Sequence, residues 1–206
     1  MLKKLNHVLK VLTIVGILLG IQGCSQEFDP TVTTQLAPEE PAQDNESGSS
    51  FKFNRYTLTP VANWSIKALV LSTEHYTLEE HADLAPVDIA LGWGPMSSPA
   101  FVAPIKVRQS TRFYFWRVGP EFKDPLTKIS HNSANMHMIP SSNSIKTILK
   151  SFEKGDVILI QGKLVNVVQS GSNWNIKTST SRTDKGAGAC EVIYVESAQK
   201  VEQPPK

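Results

Sequence analysis

Two histidines and two asparagines fall within ten residues, in the segment HNSANMHMIP at 131–140. In an extended chain alternate side chains share a face, so His131, Asn135 and His137 would form one polar face. The two histidines would then lie about 20 Å apart, too far to bind one metal ion without a bend. Imidazole groups can transfer protons near neutral pH, but they also serve as buried hydrogen-bonding groups. We therefore expect this face to be structural or ligand-binding rather than catalytic.

Cys190 is a second group with possible chemistry. It follows two glycines in GAGAC, where a tight turn could expose the thiol and a nearby imidazole could activate it as a nucleophile. It also begins a run of strand-forming residues, where a free cysteine is commonly a small buried apolar side chain. Two interpretations stay open: an inert thiol, or an enzyme or metal-binding cluster of Cys190, His137 and His81.

Other polar and aromatic residues are candidates for ligand binding. The binding candidates are Asp83, Asp88, Trp93, His131 and Asn135. Trp93 stands between two glycines, which suits a core anchor better than a ligand platform, and acids in a turn are commonly solvated. The chain has no HExxH, CxxC, GxSxG or phosphate-loop motif. No metal site and no cofactor are therefore predicted.

Short runs of branched and aromatic residues predict the elements that must position these side chains. Strands are predicted over 64–71, 87–94, 112–118, 155–168, 174–180 and 190–196. Apolar residues at helical spacing predict a helix over 142–153, capped by Ser142 or Ser144. Gly162 interrupts its strand, as at a bulge or bend. The predicted fold is a mainly β domain with short helices (α+β). It is a small single-domain sheet or barrel, for which an OB-like form is one option.

The N-terminus has the layout of a secretory signal. Lysines at 3, 4 and 10 precede an apolar run over 11–21, and Gly23 precedes Cys24. This pattern resembles a bacterial lipoprotein signal. The resemblance implies that residues 1–23 are a signal peptide and that Cys24 is lipidated, so that the membrane is a partner through the lipid. Because Ser25 rather than Asp follows Cys24, it further implies attachment to the outer membrane, facing the periplasm.

Charge divides the rest of the chain into two parts. Residues 24–50 hold six acids and no base, together with several prolines, which predicts an acidic disordered tether after the lipidated cysteine. Residues 51–206 hold 18 bases and 13 acids and are long enough for a single globular β-rich domain. The bases are scattered along the chain, so nucleic acid is not expected as a partner.

Several segments together resemble a family of uncharacterised bacterial secreted or lipid-anchored proteins. These segments are HADLAPVDIALGWGPMS, SANMHMIP and GAGACE. The resemblance implies that the region holding His81, Asp83, Asp88, Trp93, His137 and Cys190 defines the family. It assigns no activity, substrate or catalytic residue.

The anchor signal is strong and the catalytic patterns are weak, so the sequence favours a non-enzymatic function. On this hypothesis the protein is a membrane-anchored envelope lipoprotein, and its periplasmic domain binds an envelope protein or a cell-wall component. The alternative is an envelope enzyme or metal-binding domain that uses Cys190, His137 and His81.

Overall fold

The computed structural model describes residues 27–45, 47–184 and 189–201; the predicted signal and Cys24 lie outside them. Within these ranges ten strands form: β1 (Ala42–Asp44), β2 (Phe51–Phe53), β3 (Tyr56–His75), β4 (Val87–Gly92), β5 (Lys106–Ser110), β6 (Phe113–Arg117), β7 (Ser133–Pro140), β8 (Val157–Gln169), β9 (Asn175–Ile176) and β10 (Glu191–Lys200). The short α-helices there are α1 (Pro99–Val102), α2 (Thr127–Ser130) and α3 (Asn143–Lys150). In the described part of the chain, no helix has the length and apolarity that crossing a bilayer requires.

Five of the strands form a closed barrel. β3 pairs with β4, β4 with β7, β7 with β10, β10 with β8, and β8 with β3 again. The β7–β10 pair is parallel and the other four are antiparallel. The first, second, third, fifth and fourth barrel strands are thus neighbours in that order, and α3 connects the third to the fourth. This arrangement confirms the predicted mainly β class with short helices, in its OB-like form.

Alternate side chains of the barrel strands fill its interior. On β4 and β7 these are Val87, Ile89, Leu91, Met136 and Met138. α3 packs against β7 and β10. Ser142 caps the helix, as the sequence predicts, by accepting a hydrogen bond from Ile145 N at 3.2 Å. Leu149 of α3 is fully buried in the same core, and burial of such a side chain stabilises the fold by roughly 1.5–3 kcal/mol.

Gly162 lies where β8 must curve between two partners. A side chain there would collide with the carbonyl oxygen of Tyr194 on β10. Beside it, the register between β8 and β10 shifts between Val195 and Ser197. The close approach of the two backbones explains the glycine, and it confirms the irregularity predicted at this position.

The connection between β4 and β7 covers the outer face of these two strands. It contains a 3₁₀ helix (Gly94–Ser97), α1, the hairpin of β5 and β6, and α2. Its apolar side chains form a second core with Leu69, Leu71 and Ala90. Tyr114 of the hairpin donates a hydrogen bond from its hydroxyl to Ser133 Oγ on β7 at 3.1 Å. Side chains that point outward from β4 and β7 are therefore enclosed rather than solvated.

The packing of residues 27–45 differs from the expectation of a disordered tether over 24–50. β1 pairs with β3, and Ala37 is 1% exposed. Ser97 Oγ bonds both the amide nitrogen and the carbonyl oxygen of Ala37, each at 3.0 Å, and Leu36 packs against the second core. A few apolar residues among the acids are thus enough to dock the segment, although its average composition suggests a solvated chain.

Candidate functional site

Asp88 on β4 and His137 on β7 are paired residues of the antiparallel ladder. Their neighbours Ile89 and Met136 point into the barrel, so both polar side chains point outward beneath the hairpin. His137 Nδ1 lies 2.9 Å from Asp88 Oδ2, with the histidine side chain 9% exposed and the aspartate fully buried. The Nδ1 hydrogen is not aligned with a hydrogen-bond acceptor. The contact is therefore held mainly by charge.

Cys190, the residue directly before β10, adds a thiol to this pair. β10 runs parallel to β7, and Val192 is opposite His137, so Cys190 lies on the same face two residues earlier. The half-buried thiol lies 4.0 Å from Asn135 Nδ2, and it is close enough to His137 to raise the pKa of the imidazole. Since His137 Nδ1 faces Asp88, Nε2 is the nitrogen available to the thiol. A carboxylate on β4, an imidazole on β7 and a thiol directly before β10 thus lie next to one another.

The surroundings of His137 favour its charged form. Burial by itself lowers the pKa of the imidazole, but the contacts and charge interactions with Asp88 and Cys190 outweigh it and raise the pKa to about 9. The ring is therefore protonated at neutral pH. A protonated ring next to the sulfur can donate a proton to a leaving group there.

Further side chains hold the buried carboxylate of Asp88. Arg112 Nη1 donates to Oδ1 at 3.1 Å, Tyr76 OH donates to Oδ2 at 3.2 Å, and Asn135 Nδ2 lies 3.4 Å from Oδ2. Burial, and secondly the charge of Asp88, raises the pKa of Tyr76 far above its usual value, so the hydroxyl keeps its proton. With donors on both oxygens, Asp88 is a fixed acceptor that can orient an imidazole ring.

Arg112 reaches Asp88 from a strained turn. Thr111 and Arg112 connect β5 to β6 with φ values of 50° and 69°, which tight hairpin turns usually achieve with asparagine and glycine. Such conformations cost on the order of 1–3 kcal/mol each and persist where surrounding contacts fix them. Here the Arg112 guanidinium lies 3.5 Å from the Tyr76 ring centroid and donates to Ala85 O at 2.8 Å. These contacts hold the strained turn over the buried carboxylate.

Cys190 opens onto a cleft of about 460 Å³. One wall is apolar and largely aromatic: Phe113, Tyr114, Phe115, Trp116 and Leu126. Other residues of the lining are polar: Ser181, Arg182, Asp184 and Glu191. Phe113 and Phe115 are 44% and 45% exposed, and Leu126 is 52% exposed. Large apolar side chains left open beside a thiol indicate a surface for a ligand.

Glu191, next to the thiol in sequence, adds a titratable group to the cleft. Its Oε1 accepts a hydrogen bond from Arg182 Nη1 at 2.7 Å, whereas Oε2 is buried without a hydrogen-bond partner. Burial raises the pKa of Glu191 to about 7, against the lowering effect of Arg182. This carboxyl group therefore exchanges its proton near neutral pH.

His81 takes part in a different set of contacts. It lines a second pocket of about 220 Å³, which His137 also lines. The His81 ring stacks on Trp174 with centroids 3.8 Å apart, and Nδ1 is 3.1 Å from Tyr56 OH. Burial lowers the pKa of His81. Cys190 thus lies near His137 in the structure. The third residue of this group is Asp88 rather than His81.

The remaining candidates lie at the edge of the site or outside it. His131 is exposed at the end of α2, before β7 begins, so the predicted polar face starts at Ser133. Asp83 bonds Arg55 Nη2 at 3.1 Å and Tyr56 OH at 2.9 Å. Trp93 is 1% exposed in the barrel core and also lines the cleft. Among the described residues, no group of three His, Cys, Asp or Glu side chains is placed to hold a metal ion.

Sequence reasoning missed three residues that support the site: Tyr76, Gln109 and Arg112. Gln109 Nε2 donates to Asn135 Oδ1 at 2.7 Å, while the other two hold Asp88. No spacing pattern links them to His137. The basic and aromatic run RFYFWR, which Arg112 begins, is predicted as part of a strand. In the structure the strand begins at Phe113, and Arg112 lies in the turn before it.

Comparisons of the chain with protein-family models, with curated proteins and with solved structures find no match. The resemblance to secreted or lipid-anchored bacterial proteins therefore stays a prediction. The function has to be argued from the geometry of Asp88, His137 and Cys190.

Proposed function

We propose that the protein is an acyl-transferring enzyme of the bacterial envelope that uses Cys190 as a nucleophile on an amide or ester. One observation carries the proposal: Asp88 on β4, His137 on β7 and Cys190 directly before β10 interact in series. A nucleophile, a base and a third group that orients the base form the arrangement that activates serine and cysteine in hydrolases and transferases. The proposal adopts the enzyme alternative rather than the binding domain that the sequence favours.

The chemistry proceeds in two stages. The Cys190 thiolate attacks the carbonyl carbon, and the π electrons move to the oxygen to form a tetrahedral intermediate. As the intermediate collapses, the His137 imidazolium gives its proton to the leaving amine or alcohol, and a thioester remains on the sulfur. Water or a second amine then attacks the thioester, gives a proton to His137, and regenerates the thiolate. Asp88 orients the ring and stabilises its positive form.

The cleft favours a substrate with an apolar part and a polar part. Phe113, Phe115 and Leu126 offer open apolar surface, and Arg182 and Asp184 offer opposite charges. Peptides and peptide-containing cell-wall fragments combine these features within the length of such a cleft. We therefore propose a peptide amide as the acyl donor.

We also propose that Cys24 is lipidated and holds the enzyme at the outer membrane, facing the periplasm. The support is the sequence alone: a lysine-flanked apolar run that ends at Gly23 and Cys24. Cells fed an alkynyl fatty acid should incorporate it into the native protein but not into Cys24→Ala. Fractionation should find the native protein in outer membranes, and label on the Cys24→Ala chain would contradict the proposal.

Catalysis can be tested on the full chain, purified in detergent, with 4-nitrophenyl acetate as a small activated acyl donor. We expect a burst of nitrophenol about equal to the enzyme concentration, and peptide mass spectrometry should find an acetyl group on Cys190. Cys190→Ala and His137→Ala should lose the burst. His131→Ala, an exposed histidine outside the cleft, is the matched control and should keep it. A burst that persists in Cys190→Ala would overturn the proposal.

A binding domain is the second candidate. The site lies on β4 and β7, the second and third barrel strands. Tyr76 comes from the connection between β3 and β4, and Cys190 comes from the connection that leads into β10. OB-like barrels bind oligonucleotides or oligosaccharides in this region. This argument rests on likeness of fold and not on chemistry. Cell-wall oligosaccharides that bind to the protein, together with a native thiol inert toward iodoacetamide, would favour this candidate over the enzyme.

A further inference from the structure

We infer that Asn135 is the side-chain donor that stabilises the oxyanion formed on the substrate. The inference rests on the proposed acyl transfer at Cys190 and assigns a catalytic role that the Asp88, His137 and Cys190 series does not supply. In that series each group handles the nucleophile or a proton. The negative charge that develops on the carbonyl oxygen needs a separate hydrogen-bond donor.

The position of Asn135 suits this role. Its Nδ2 lies 4.0 Å from the Cys190 sulfur, and its side chain lines the cleft into which the thiol opens. When a carbonyl carbon bonds to the sulfur, the carbonyl oxygen lies one bond away from that carbon. An amide nitrogen at this distance from the sulfur can therefore donate to the oxygen without moving the backbone.

The amide orientation is fixed by its partners. Gln109 Nε2 donates to Asn135 Oδ1 at 2.7 Å, so the oxygen end of the amide is occupied and the NH₂ end faces the thiol. Arg112 O accepts from Nδ2 at 3.2 Å, which engages one of the two hydrogens. The other acceptors, Asp88 Oδ2 at 3.4 Å and the sulfur at 4.0 Å, are long contacts. The second hydrogen is thus held near the reacting atoms by weak bonds that a substrate oxygen can replace.

Burial makes this donor effective. Asn135 is 3% exposed, so its dipole is held in a site from which most water is excluded and needs little reorganisation when charge develops. Removal of one such donor from an acyl-transfer site costs about 100-fold to 1,000-fold in rate.

Two reactions of the same thiol separate this role from a structural one. Acetylation by 4-nitrophenyl acetate passes through an oxyanion, whereas alkylation by iodoacetamide is a direct displacement at carbon and forms none. In Asn135→Ala, measured on the full chain, we expect acetylation to fall about 100-fold or more and alkylation to stay within about twofold. Asn132→Ala, an asparagine three positions earlier and outside the cleft, should change neither rate. Gln109→Leu keeps the donor but frees the amide to rotate, and it should reduce acetylation by about tenfold.

Each other outcome has a definite meaning. Equal losses of acetylation and alkylation in Asn135→Ala would show that the residue only positions the thiol and His137, and the inference would fail. Unchanged acetylation in Asn135→Ala, with the native burst lost in Cys190→Ala, would also refute the inference but leave the proposed function intact. A burst that does not depend on Cys190 would refute the proposed function itself. If Asn135→Ala does not fold, Gln109→Leu carries the same comparison of the two rates.

Discussion

Asp88 and His137 come within 2.9 Å of each other because they are directly paired on two neighbouring antiparallel strands. Paired residues on one face of a sheet are the closest neighbours that two strands can offer. The relation between carboxylate and imidazole is thus set by the register of β4 and β7 rather than by a loop. The geometry of the site therefore depends on the integrity of the barrel.

Asp88→Asn should lower the pKa of His137 from about 9 by roughly one unit or more. Burial is already the largest single influence on the ring and disfavours the imidazolium, and without the carboxylate less opposes it. A pH titration of the His137 ring signals by NMR measures the change. If the pKa of His137 stays near 9 in Asp88→Asn, the charge of Asp88 does not govern it.

His137→Ala should slow the alkylation of Cys190 by iodoacetamide at neutral pH by roughly tenfold. The variant lacks the positive ring that His137 places next to the sulfur, and a neighbouring imidazole is the group that activates a nucleophilic cysteine. The second-order rate constant can be measured by mass spectrometry of the alkylated peptide. His131→Ala should react at the native rate, and an equally fast thiol in both variants would argue against activation by His137.

Stability should depend on pH through His137. In the Cys190→Ala variant, which keeps Asp88 beside the ring but loses the raising effect of Cys190, the free energy of unfolding should fall by up to roughly 2 kcal/mol as the pH rises from neutral toward 9. The folded protein binds the His137 proton more tightly than the unfolded chain, whose pKa is 6.5. This stabilisation is complete below pH 6.5 and is lost as the pH rises through the raised pKa.

Urea unfolding at a series of pH values measures this dependence. The double variant Cys190→Ala/His137→Gln has no imidazole at the site, so its stability should be nearly constant over the same range. Parallel curves for the single and double variants would show that His137 is not the responsible group.

Substitutions at Thr111 and Arg112, in the turn between β5 and β6, should change the free energy of unfolding in opposite directions. Thr111→Gly removes a side chain from a residue with φ of 50° and should raise the free energy of unfolding by about 1 kcal/mol. Arg112→Met removes one of the two cationic partners of the buried Asp88 and should lower the free energy of unfolding by about 3 kcal/mol. Urea unfolding measures both, and a stabilised Arg112→Met would mean that strain outweighs the contact.

Ser97→Ala should loosen residues 27–45 from the barrel. The hydroxyl bonds both backbone atoms of Ala37, and the loss of buried hydrogen bonds costs about 1–2 kcal/mol. Limited proteolysis should then cut this segment faster, with the barrel intact. Ser98→Ala, whose hydroxyl makes longer bonds to Val32 O and Thr33 O, should have a smaller effect.

The sequence predicted the main strands because their signals are local. Alternating apolar residues over 155–168 match β8, and helical spacing with a Ser142 cap matches α3. The strands β1, β2, β5 and β7 were not predicted as strands. The first three hold too few residues for a strong alternation, and the segment of β7 was considered in an extended form without a strand being predicted there. The docking of residues 27–45 depends on apolar contacts that the acidic composition conceals.

The site was only partly predictable, because its geometry depends on pairings between distant parts of the chain. Cys190 and His137 formed one cluster, with His81, only in the enzyme alternative, and Asp88 was a candidate for binding. Which residues meet depends on the register of β4 with β7 and of β7 with β10, and no local pattern specifies that register. Arg112 could not be foreseen, because Thr111 and Arg112 lack the glycine or asparagine that announces a tight turn.

The connectivity of the barrel also has a consequence for the timing of activity. Cys190 immediately precedes β10, and β10 closes the barrel by pairing with both β7 and β8. Contacts between residues far apart in sequence form late in folding, because a long loop must first be closed. A newly made chain therefore carries a thiol with no imidazole beside it until the last barrel strand docks. Under the proposed function, Cys190 would therefore become a reactive nucleophile only when the barrel has closed.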